Sequence, residues 1–294
     1  MSNKISVSSS SDRAFGIINF VLVALFVVAA LYPFVYVLSA SMSHGDEVSA
    51  GRVVFFPINI TFAAFYEVFK DGEFWLTYAN TLFYTFAGVA MSLAFVVPGA
   101  YALSKPRLRG RKFFNIAIAF TMWFNAGMIP FFLNMRDLGL LDSRFGYLIG
   151  FACNAFNVIL LRNYFESISP AFEEAAKLEG ASDWHIFWNI FIPLSKPAII
   201  TVGLFFAVFR WNGYFWAMIL LKDETKIPLQ VFLKKIIVEQ NFDDVVSQTA
   251  VNASYSLETM IYAVIVCSTV PMLILYPYIQ KYFNKGALLG GVKE

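Results

Sequence analysis

Charged residues are scarce in this chain. Only 14% of its 294 residues are Asp, Glu, Lys or Arg, whereas 59% are hydrophobic. Soluble domains carry about a quarter charged residues, and a large soluble protein would need amphipathic elements to cover its buried helices. The sequence offers almost no such elements. An ordinary soluble fold is therefore excluded, and the composition predicts an integral membrane protein.

Cysteine and histidine are also rare, with two of each. Cys153 and Cys267 both lie in long apolar runs, where a free cysteine usually serves as a small apolar packing residue. His44 and His185 are far apart in the sequence. We therefore predict no disulfide and no metal site.

The motifs of several enzyme classes are absent from the sequence. It has no G-x-x-x-x-G-K-[ST] phosphate loop, so we expect ATP to bind elsewhere. No Ser–His–Asp or paired-carboxylate arrangement can be placed on one face, so we expect no catalytic residue and no enzyme. A secondary transporter, the other alternative, would carry intramembrane carboxylates for ion coupling, and the interiors of the apolar runs contain none.

What the sequence has in abundance is long apolar runs. Each is near the roughly 20 residues that a helix needs to cross a membrane. Lipid offers no hydrogen bonds to the backbone, and the runs are continuously apolar rather than alternating, so helices are favoured over a barrel. The prediction is an all-α polytopic membrane protein, one transmembrane domain over 1–294, with six spans at about 14–42, 75–104, 113–135, 145–161, 197–221 and 257–280.

The distribution of Lys and Arg predicts the orientation. The segments 1–13, 105–112, 162–196 and 281–294 hold 13 of them, and the alternate set 44–73, 136–144 and 222–258 holds 8. By the positive-inside rule, both termini, the connection 162–196 and the tail 281–294 are expected in the cytoplasm. The loops 44–73 and 222–256 are then external. The second includes an amphipathic run, Val231 to Gln240, and either connects spans or receives a substrate-delivery protein.

Two short helices are predicted in the long cytoplasmic connection. Ser169 and Pro170 suit the start of the first, and Gly180 suits its end. Ser182 can cap a second helix over 183–191, which Pro193 and Pro197 would terminate.

Exposed apolar residues such as Phe172, Trp184 and Phe187 would let this segment fit a partner's groove and transmit movement. The alternative is an amphipathic helix that only anchors the loop to the membrane surface.

The spacing Glu174-Ala175-Ala176, Gly180, then Ile190-Phe191-Ile192-Pro193 resembles the EAA loop of bacterial ABC importer permeases. The resemblance implies the type I importer permease fold. It also implies that 174–180 docks into a cleft of a cytoplasmic ATPase, where Glu174 pairs with a basic group. ATP and Mg would belong to that ATPase, and this chain would hold no cofactor. The coupling residues so implied are Glu173, Glu174, Ala175, Ala176, Gly180, Ala181, Ser182 and Pro193.

Further motifs are similar to MalG-like carbohydrate importer permeases. They are Ala100–Ser104 with the basic loop after it, Trp211-Asn212, and the tail 276–293, although the chain ends in Glu294 where relatives often end in Gly. Gly127–Pro130 and Pro228–Gln230 resemble the branch that imports aldouronates and alginate. The cargo implied is an oligosaccharide, with a uronate-containing one favoured and a neutral one as the alternative.

The same resemblance implies a set of partners for this chain. They are a second homologous permease, two ATP-binding cassette subunits that contact the tail, and an extracytoplasmic solute-binding protein. The location implied is the bacterial inner membrane, and no nucleic acid is expected as a partner.

One charge lies inside a predicted span. Arg210 is 12 residues before Lys222, which is about 18 Å of helix. Arginine at this depth costs roughly 2.5–3.5 kcal/mol, so such residues usually face a cavity or a partner. One hypothesis is that Arg210, Trp211, Asn212 and Tyr214 line the substrate path. The other is that Arg210 pairs with an acidic or carbonyl group on the second permease.

Overall fold

The computed structural model describes residues 10–239 and 254–290. Over these residues the chain is helical and contains no β-strand, which confirms the all-α fold class. The sequence predicts a single domain, whereas the described residues pack as two compact units: 10–70 with 254–267, and 71–239 with 268–290. The division falls inside the last helix.

The first unit is dominated by an exposed apolar helix. The helices of this unit are α1 (Ser10–Ser41), α2 (Gly45–Ser49), α3 (Ala63–Lys70) and the beginning of α15 (Leu257–Gly290). A helix that is apolar on every side is typical of a membrane span, and no residue from 14 to 38 is buried. Only its end is packed, where Ala40 meets Val48 and Val53 and Ser39 Oγ donates to the carbonyl of Phe55 at 2.7 Å.

The second unit is built around one long helix, α4, against which α7, α8, α12 and α14 pack. Its helices are α4 (Gly72–Ser104), α5 (Arg111–Trp123), α6 (Met128–Asp137), α7 (Arg144–Ile149), α8 (Ala155–Ser167), α9 (Ala171–Leu178), α10 (Asp183–Ile186), α11 (Ile192–Leu194), α12 (Lys196–Trp211), α13 (Phe215–Leu220) and α14 (Leu229–Glu239). A π-helical turn, Phe187–Phe191, joins α10 to α11.

Several apolar runs are broken helices. On length and composition, three of the described helices could cross a membrane: Ala14–Ser41, Gly72–Ser104 and Leu257–Pro277. Counting each bent pair as one span, α5 with α6 (117°) and α10–α11 with α12 (78°), gives up to five. The runs 113–135, 145–161 and 197–221, each predicted as one span, are each divided into two helices. Six crossings stay a prediction.

The breaks have local causes in the sequence. Before α6, Gly127 has φ +91°, a region that favours glycine, and its N–H donates to Asn125 Oδ1 at 2.8 Å. Before α8, Asn154 Oδ1 accepts from the N–H of Asn157 at 3.2 Å. The Asn154 cap satisfies an amide that a helix start leaves unpaired, so a polar residue within an apolar run can begin a new helix.

The connection after α13 is held by a carboxylate. Asp142 Oδ1 accepts from the backbone N–H groups of Lys222 and Asp223, and Oδ2 pairs with Lys226 Nζ, each at 3.0 Å. The N–H of Asp223, followed by Lys226, holds the pKa of Asp142 below its usual value. The amphipathic run Val231 to Gln240 is helical as far as Glu239, as part of α14. Residues 240–253 of this loop lie outside the described residues, as do 291–294 of the tail.

Candidate coupling segment and translocation path

The first helix of the coupling segment, which we define as residues 169–194, ends in a local motif. The N–H of Gly180 donates to the carbonyl of Lys177 at 3.0 Å, and that of Ala181 to the carbonyl of Ala176 at 2.9 Å. These two bonds form a Schellman cap, which needs a residue with positive φ. Gly180 supplies it with φ +84°. The predicted end of this helix is confirmed.

The second helix begins as the sequence predicts and continues further. Ser182 Oγ caps it by accepting from the N–H of His185 at 3.2 Å. The expectation that Pro193 ends this helix is wrong, since helical structure continues to Leu194 and the bend follows at Ser195. A proline crowds the preceding turn of an α-helix. Here that turn is π-helical, with the N–H of Ile192 donating to the carbonyl of Phe187.

Helix α9 presents two different faces. Ala171, Glu174, Ala175 and Leu178 are all exposed, and their spacing of i, i+3, i+4 and i+7 places them on one side of the helix. Leu178 is 91% exposed. The opposite side carries Ala176, which is buried in an apolar core. On the side that faces away from the rest of the chain, α9 therefore presents an exposed and largely apolar surface.

The two adjacent glutamates of α9 have different surroundings. Glu173 accepts from Lys105 Nζ and Lys177 Nζ, both at 2.5 Å, and lies 3.9 Å from Arg107. The Lys105 side chain is 9% exposed and its Nζ lies 3.5 Å from the ring centre of Phe191. We call this group of charges the Glu173 clamp.

Glu174, by contrast, is exposed and has no ion-pair partner among the described residues. The carboxylate that the family resemblance assigns to the ATPase is therefore the unengaged one of the pair.

Electrostatics favour the charged form of Glu173. Burial alone would raise its pKa, but hydrogen bonds from Lys105 and then Lys177 outweigh this and lower the pKa below its usual value. A carboxylate that accepts from two cations is stabilised in its ionised state. The clamp therefore remains charged at neutral pH, and it ties α9 to the end of α4.

An apolar core continues from the coupling segment into the spans. Phe187 and Phe191 pack against Tyr101 of α4, with ring centres 4.8 and 5.0 Å apart. The core cluster that includes Ala176 extends through α8 and α12, as far as Phe206. The expectation that Phe187 is exposed is therefore wrong, since it is 4% exposed, whereas Phe172 and Trp184 are exposed as predicted.

Arg210 is buried within its own chain. It is 1% exposed, and its terminal nitrogens donate to the carbonyls of Tyr147 at 2.9 Å and Leu148 at 2.7 Å. Both carbonyls belong to the last turn of α7, where a helix has no internal partner for them. Arginine at such an end satisfies the carbonyls and complements the helix dipole. The hypothesised carbonyl partner thus lies in this chain rather than in a second permease.

Two neighbours complete the Arg210 site. Gly88 of α4 makes the room, because a Cβ there would lie 2.8 Å from Arg210 Nε. The Tyr147 hydroxyl donates to the carbonyl of Gly213 at 3.2 Å, in the break between α12 and α13. Each of the two broken runs therefore supplies hydrogen-bond donors to the other. Arg210 donates to the carbonyls at the end of α7, and the Tyr147 hydroxyl donates to the carbonyl in the break after α12.

The other three residues predicted to line the substrate path differ in their exposure. Trp211 is buried, and its Nε1 donates to the carbonyl of Ser268 at 3.0 Å. Asn212 and Tyr214 are exposed at the break. The structure does not bring Arg210 and Trp211 to an exposed surface with the other two, so only Asn212 and Tyr214 are available to a ligand from this set.

An aromatic cavity lies beside the second half of α12. Its volume is about 330 Å³ and its lining is Phe151, Cys153, Asn154, Phe156, Asn157, Phe205, Phe206 and Phe209. Asn157 Oδ1 is buried without a hydrogen-bond partner. No sequence pattern marks these residues, because phenylalanine in an apolar run carries no local sign of a cavity.

Sequence reasoning also misses Lys105 and Tyr147 as site residues. Lys105 belongs to the basic loop 105–112, which the sequence marks only as an indicator of orientation. Its pairing partner, Glu173, is 68 residues away. Tyr147 stands at the end of a helix that the sequence does not reveal.

The fold and motifs match known proteins. A family model described as "Binding-protein-dependent transport system inner membrane component" matches residues 79–288. The polygalacturonan/rhamnogalacturonan transport system permease protein YtcP of Bacillus subtilis (strain 168) is 38% identical over 283 residues, which cover 96% of this chain and 99% of YtcP. Protein LplC of the same organism is 34% identical over 286 residues, or 97% of each chain.

Solved structures agree with these matches. One chain of a bacterial ABC transporter involved in the import of the acidic polysaccharide alginate has a TM-score of 0.91 and 61% identity, covering 94% of this chain and 98% of that one. A chain of a bacterial alginate ABC transporter in complex with an alginate pentasaccharide-bound periplasmic protein has a TM-score of 0.63 at 15% identity, which indicates a shared fold. The resemblance to importer permeases is thus confirmed, and the chain belongs to the family of inner membrane components of binding-protein-dependent transport systems.

Proposed function

We propose that this chain is one of two permease subunits of an ATP-driven importer that carries an acidic oligosaccharide across the bacterial inner membrane. In this proposal a pair of cytoplasmic ATPases binds ATP and Mg, and an extracytoplasmic protein delivers the sugar. The Lys and Arg distribution supports cytoplasmic termini. The observation that carries the proposal is the exposed face of α9 together with the internal clamp behind it.

The exposed face of α9 suits a protein partner. Leu178 and Trp184 are 91% and 68% exposed, and an apolar surface outside the membrane that is rimmed by charge usually marks an interface. Helices that bind in grooves use side chains at i, i+3, i+4 and i+7, which is the spacing of the exposed residues of α9. Glu174, in the middle of this face, is free to pair with a cation of the ATPase.

Glu173 has a different role in this proposal. It positions α9 by holding it to Lys105 at the end of α4. Movement of the ATPase would reach α9 through Glu174 and pass to α4, α8 and α12 through the clamp and the shared apolar core. A packed core transmits displacement because it has little free volume. The coupling must be reciprocal, so a loaded delivery protein would favour the closed ATPase.

The acidic cargo is proposed from the relatives, since YtcP is named for polygalacturonan and the 61% identical chain belongs to an alginate importer. Arg210 is buried and already bonded, so it supplies no carboxylate-binding group. Asn212 and Tyr214 suit sugar hydroxyls and ring faces. Recognition of the carboxylates would then belong to the delivery protein and the second permease.

The test of the coupling role is ATP hydrolysis by the complete transporter in vesicles, with its delivery protein and with or without an oligouronate. The variant Glu174→Ala is compared with Glu179→Ala, which removes an exposed carboxylate that follows α9 and lies outside its face of Ala171, Glu174, Ala175 and Leu178. A hydrogen bond to a charged group contributes about 1.5–3 kcal/mol. We therefore expect Glu174→Ala to reduce stimulated hydrolysis about ten-fold or more, and Glu179→Ala to behave like wild type.

Three outcomes would contradict parts of the proposal. If Glu174→Ala and Glu179→Ala show the same stimulated hydrolysis, Glu174 does not have the docking role. Failure of any ATPase to co-purify removes the importer assembly. If a neutral oligosaccharide of the same length stimulates hydrolysis as well as the oligouronate does, the acidic cargo is wrong while the coupling role stands.

A further inference from the structure

We propose that a basic cavity between α5 and α8 binds the phosphate head group of an anionic phospholipid. The cavity has a volume of about 580 Å³. Its polar lining is Arg111, Lys112, Asn115, Arg162 and Glu166. The proposal depends on the inner-membrane family of the chain and not on its cargo or its ATPase.

The lining keeps uncompensated positive charge. It has three cations and one carboxylate, and Arg111 already uses that carboxylate by donating to Glu166 Oε1 at 2.5 Å. Arg162 donates to Asn115 Oδ1 at 2.8 Å and shares the Glu166 carboxylate with Arg111, its Nε lying 3.5 Å from Glu166 Oε1. One carboxylate therefore serves both arginines, and the lining keeps a net positive charge. Lys112 is exposed and has no ion-pair partner among the described residues. A phosphate group, which accepts several charge-assisted hydrogen bonds, is the natural counter-ion for such a site.

The lining changes from charged to apolar along one face of α5. Lys112, Asn115, Ile116 and Ala119 are at i, i+3, i+4 and i+7, so they lie above one another on the helix, and all four line the cavity. The charged end meets the apolar end within two turns. A soluble phosphate would have no use for the apolar end, whereas a phospholipid matches both ends with its head group and its acyl chain.

The position of the cavity agrees with head-group depth. Arg111 and Lys112 begin α5, which with α6 forms a bent pair apolar enough to be a broken span. Phe113 and Phe120 of α5 are 70% and 58% exposed, as expected for side chains that face lipid. Basic pockets at the polar end of membrane helices are the usual sites for anionic head groups. A bound lipid would also hold α5 against the end of α8, just before the coupling segment.

The experiment is native mass spectrometry of the complete transporter complex, titrated with phosphatidylglycerol or phosphatidylcholine of the same acyl chains. Lys112→Ala is compared with Arg109→Ala, which removes an equally exposed cation of the same loop outside the cavity. We expect Lys112→Ala to weaken phosphatidylglycerol binding about five-fold and Arg109→Ala to have no effect. Lys112→Arg should restore binding, and phosphatidylcholine should respond to none of these changes.

A second variant separates a lipid from free phosphate. Ala119→Trp leaves every charge in place but fills the apolar end, so it should also weaken phosphatidylglycerol binding. Equal losses in Lys112→Ala and Arg109→Ala would overturn the proposal, because binding would then be diffuse. It would also be overturned by glycerol phosphate competing as well as the lipid does, or by Ala119→Trp binding like wild type, because the ligand would then be phosphate alone.

Discussion

The Glu173 clamp and the Arg210 site each hold a buried cation, Lys105 and Arg210 respectively, and they do so with different partners. In the clamp, Glu173 meets Lys105 and Lys177, so charges of opposite sign are paired. In the Arg210 site, the guanidinium meets two backbone carbonyls of α7. The clamp stabilises its cation with a carboxylate side chain, whereas the Arg210 site stabilises its cation with backbone carbonyls at the end of a helix.

The difference follows from what each part of the chain contains. The loop 105–112 and the coupling segment carry charges of both signs, so ion pairs can form there. The apolar runs lack carboxylates, so the cation inside them depends on carbonyls left unpaired where α7 ends. Broken helices in a membrane need such internal partners, since lipid offers none. Arg210 is therefore better explained as a structural partner of a helix end than as a ligand group.

The largest effect on stability is expected from Arg210→Gln, which removes the guanidinium from the Arg210 site. It leaves buried carbonyls of Tyr147 and Leu148 unpaired, and each such loss costs about 1–3 kcal/mol. We expect a large fall in the thermal midpoint of the purified protein and in the yield of monodisperse protein. Arg210→Lys, which retains a donor, should be intermediate. Wild-type stability together with a selective loss of acidic-sugar uptake would instead return Arg210 to the substrate path.

The next effect concerns the buried half of the clamp. Glu173→Gln leaves the largely buried Lys105 without its carboxylate, at a cost of about 1.5–3 kcal/mol. The matched control is Lys177→Met, which removes an exposed i,i+4 pair worth about 0.2–0.5 kcal/mol. A double-mutant cycle of Glu173→Gln with Lys105→Met, followed by thermal unfolding and by sugar-stimulated hydrolysis, measures the coupling. Additive effects would mean that the pair does not hold α9.

A smaller effect is expected from Gly88→Ala, which sharpens the description of the Arg210 site. The added methyl group meets the arginine side chain, and overpacking costs about 1–3 kcal/mol. Gly99→Ala in the same helix meets nothing within 4 Å, so it should be neutral or slightly stabilising. Equal thermal midpoints for the two variants would show that Arg210 moves aside freely.

The smallest effect is expected from pH. The pKa of Glu173 is lowered from its ordinary 4.5, so the clamp is fully effective above that value and is lost as the pH falls through the lowered pKa. The difference in thermal midpoint between wild type and Glu173→Gln should therefore be constant from neutral pH to about pH 5 and shrink only in stronger acid. A difference that disappears above pH 5 would contradict the lowered pKa.

Local rules explain which parts of the coupling segment could be predicted. Gly180 and Ser182 mark a helix end and a helix start through bonds that span only a few residues, so spacing alone is sufficient. The same rules fail for Phe187 and Pro193, because burial and the π-helical turn depend on packing against α4. The sequence pattern does not distinguish the adjacent Glu173 and Glu174. They differ because the fold brings Lys105 to Glu173 and not to Glu174.

The sequence by itself determined the helical membrane class, the family, and the helix end at Gly180 and helix start at Ser182, because these depend on composition and on spacing along the chain. The tertiary structure alone decided which glutamate is held and what Arg210 contacts. These features depend on residues 62 to 68 positions apart that meet only after folding. A buried charge is stable only where a partner has been brought to it, and spacing along the chain does not reveal that partner.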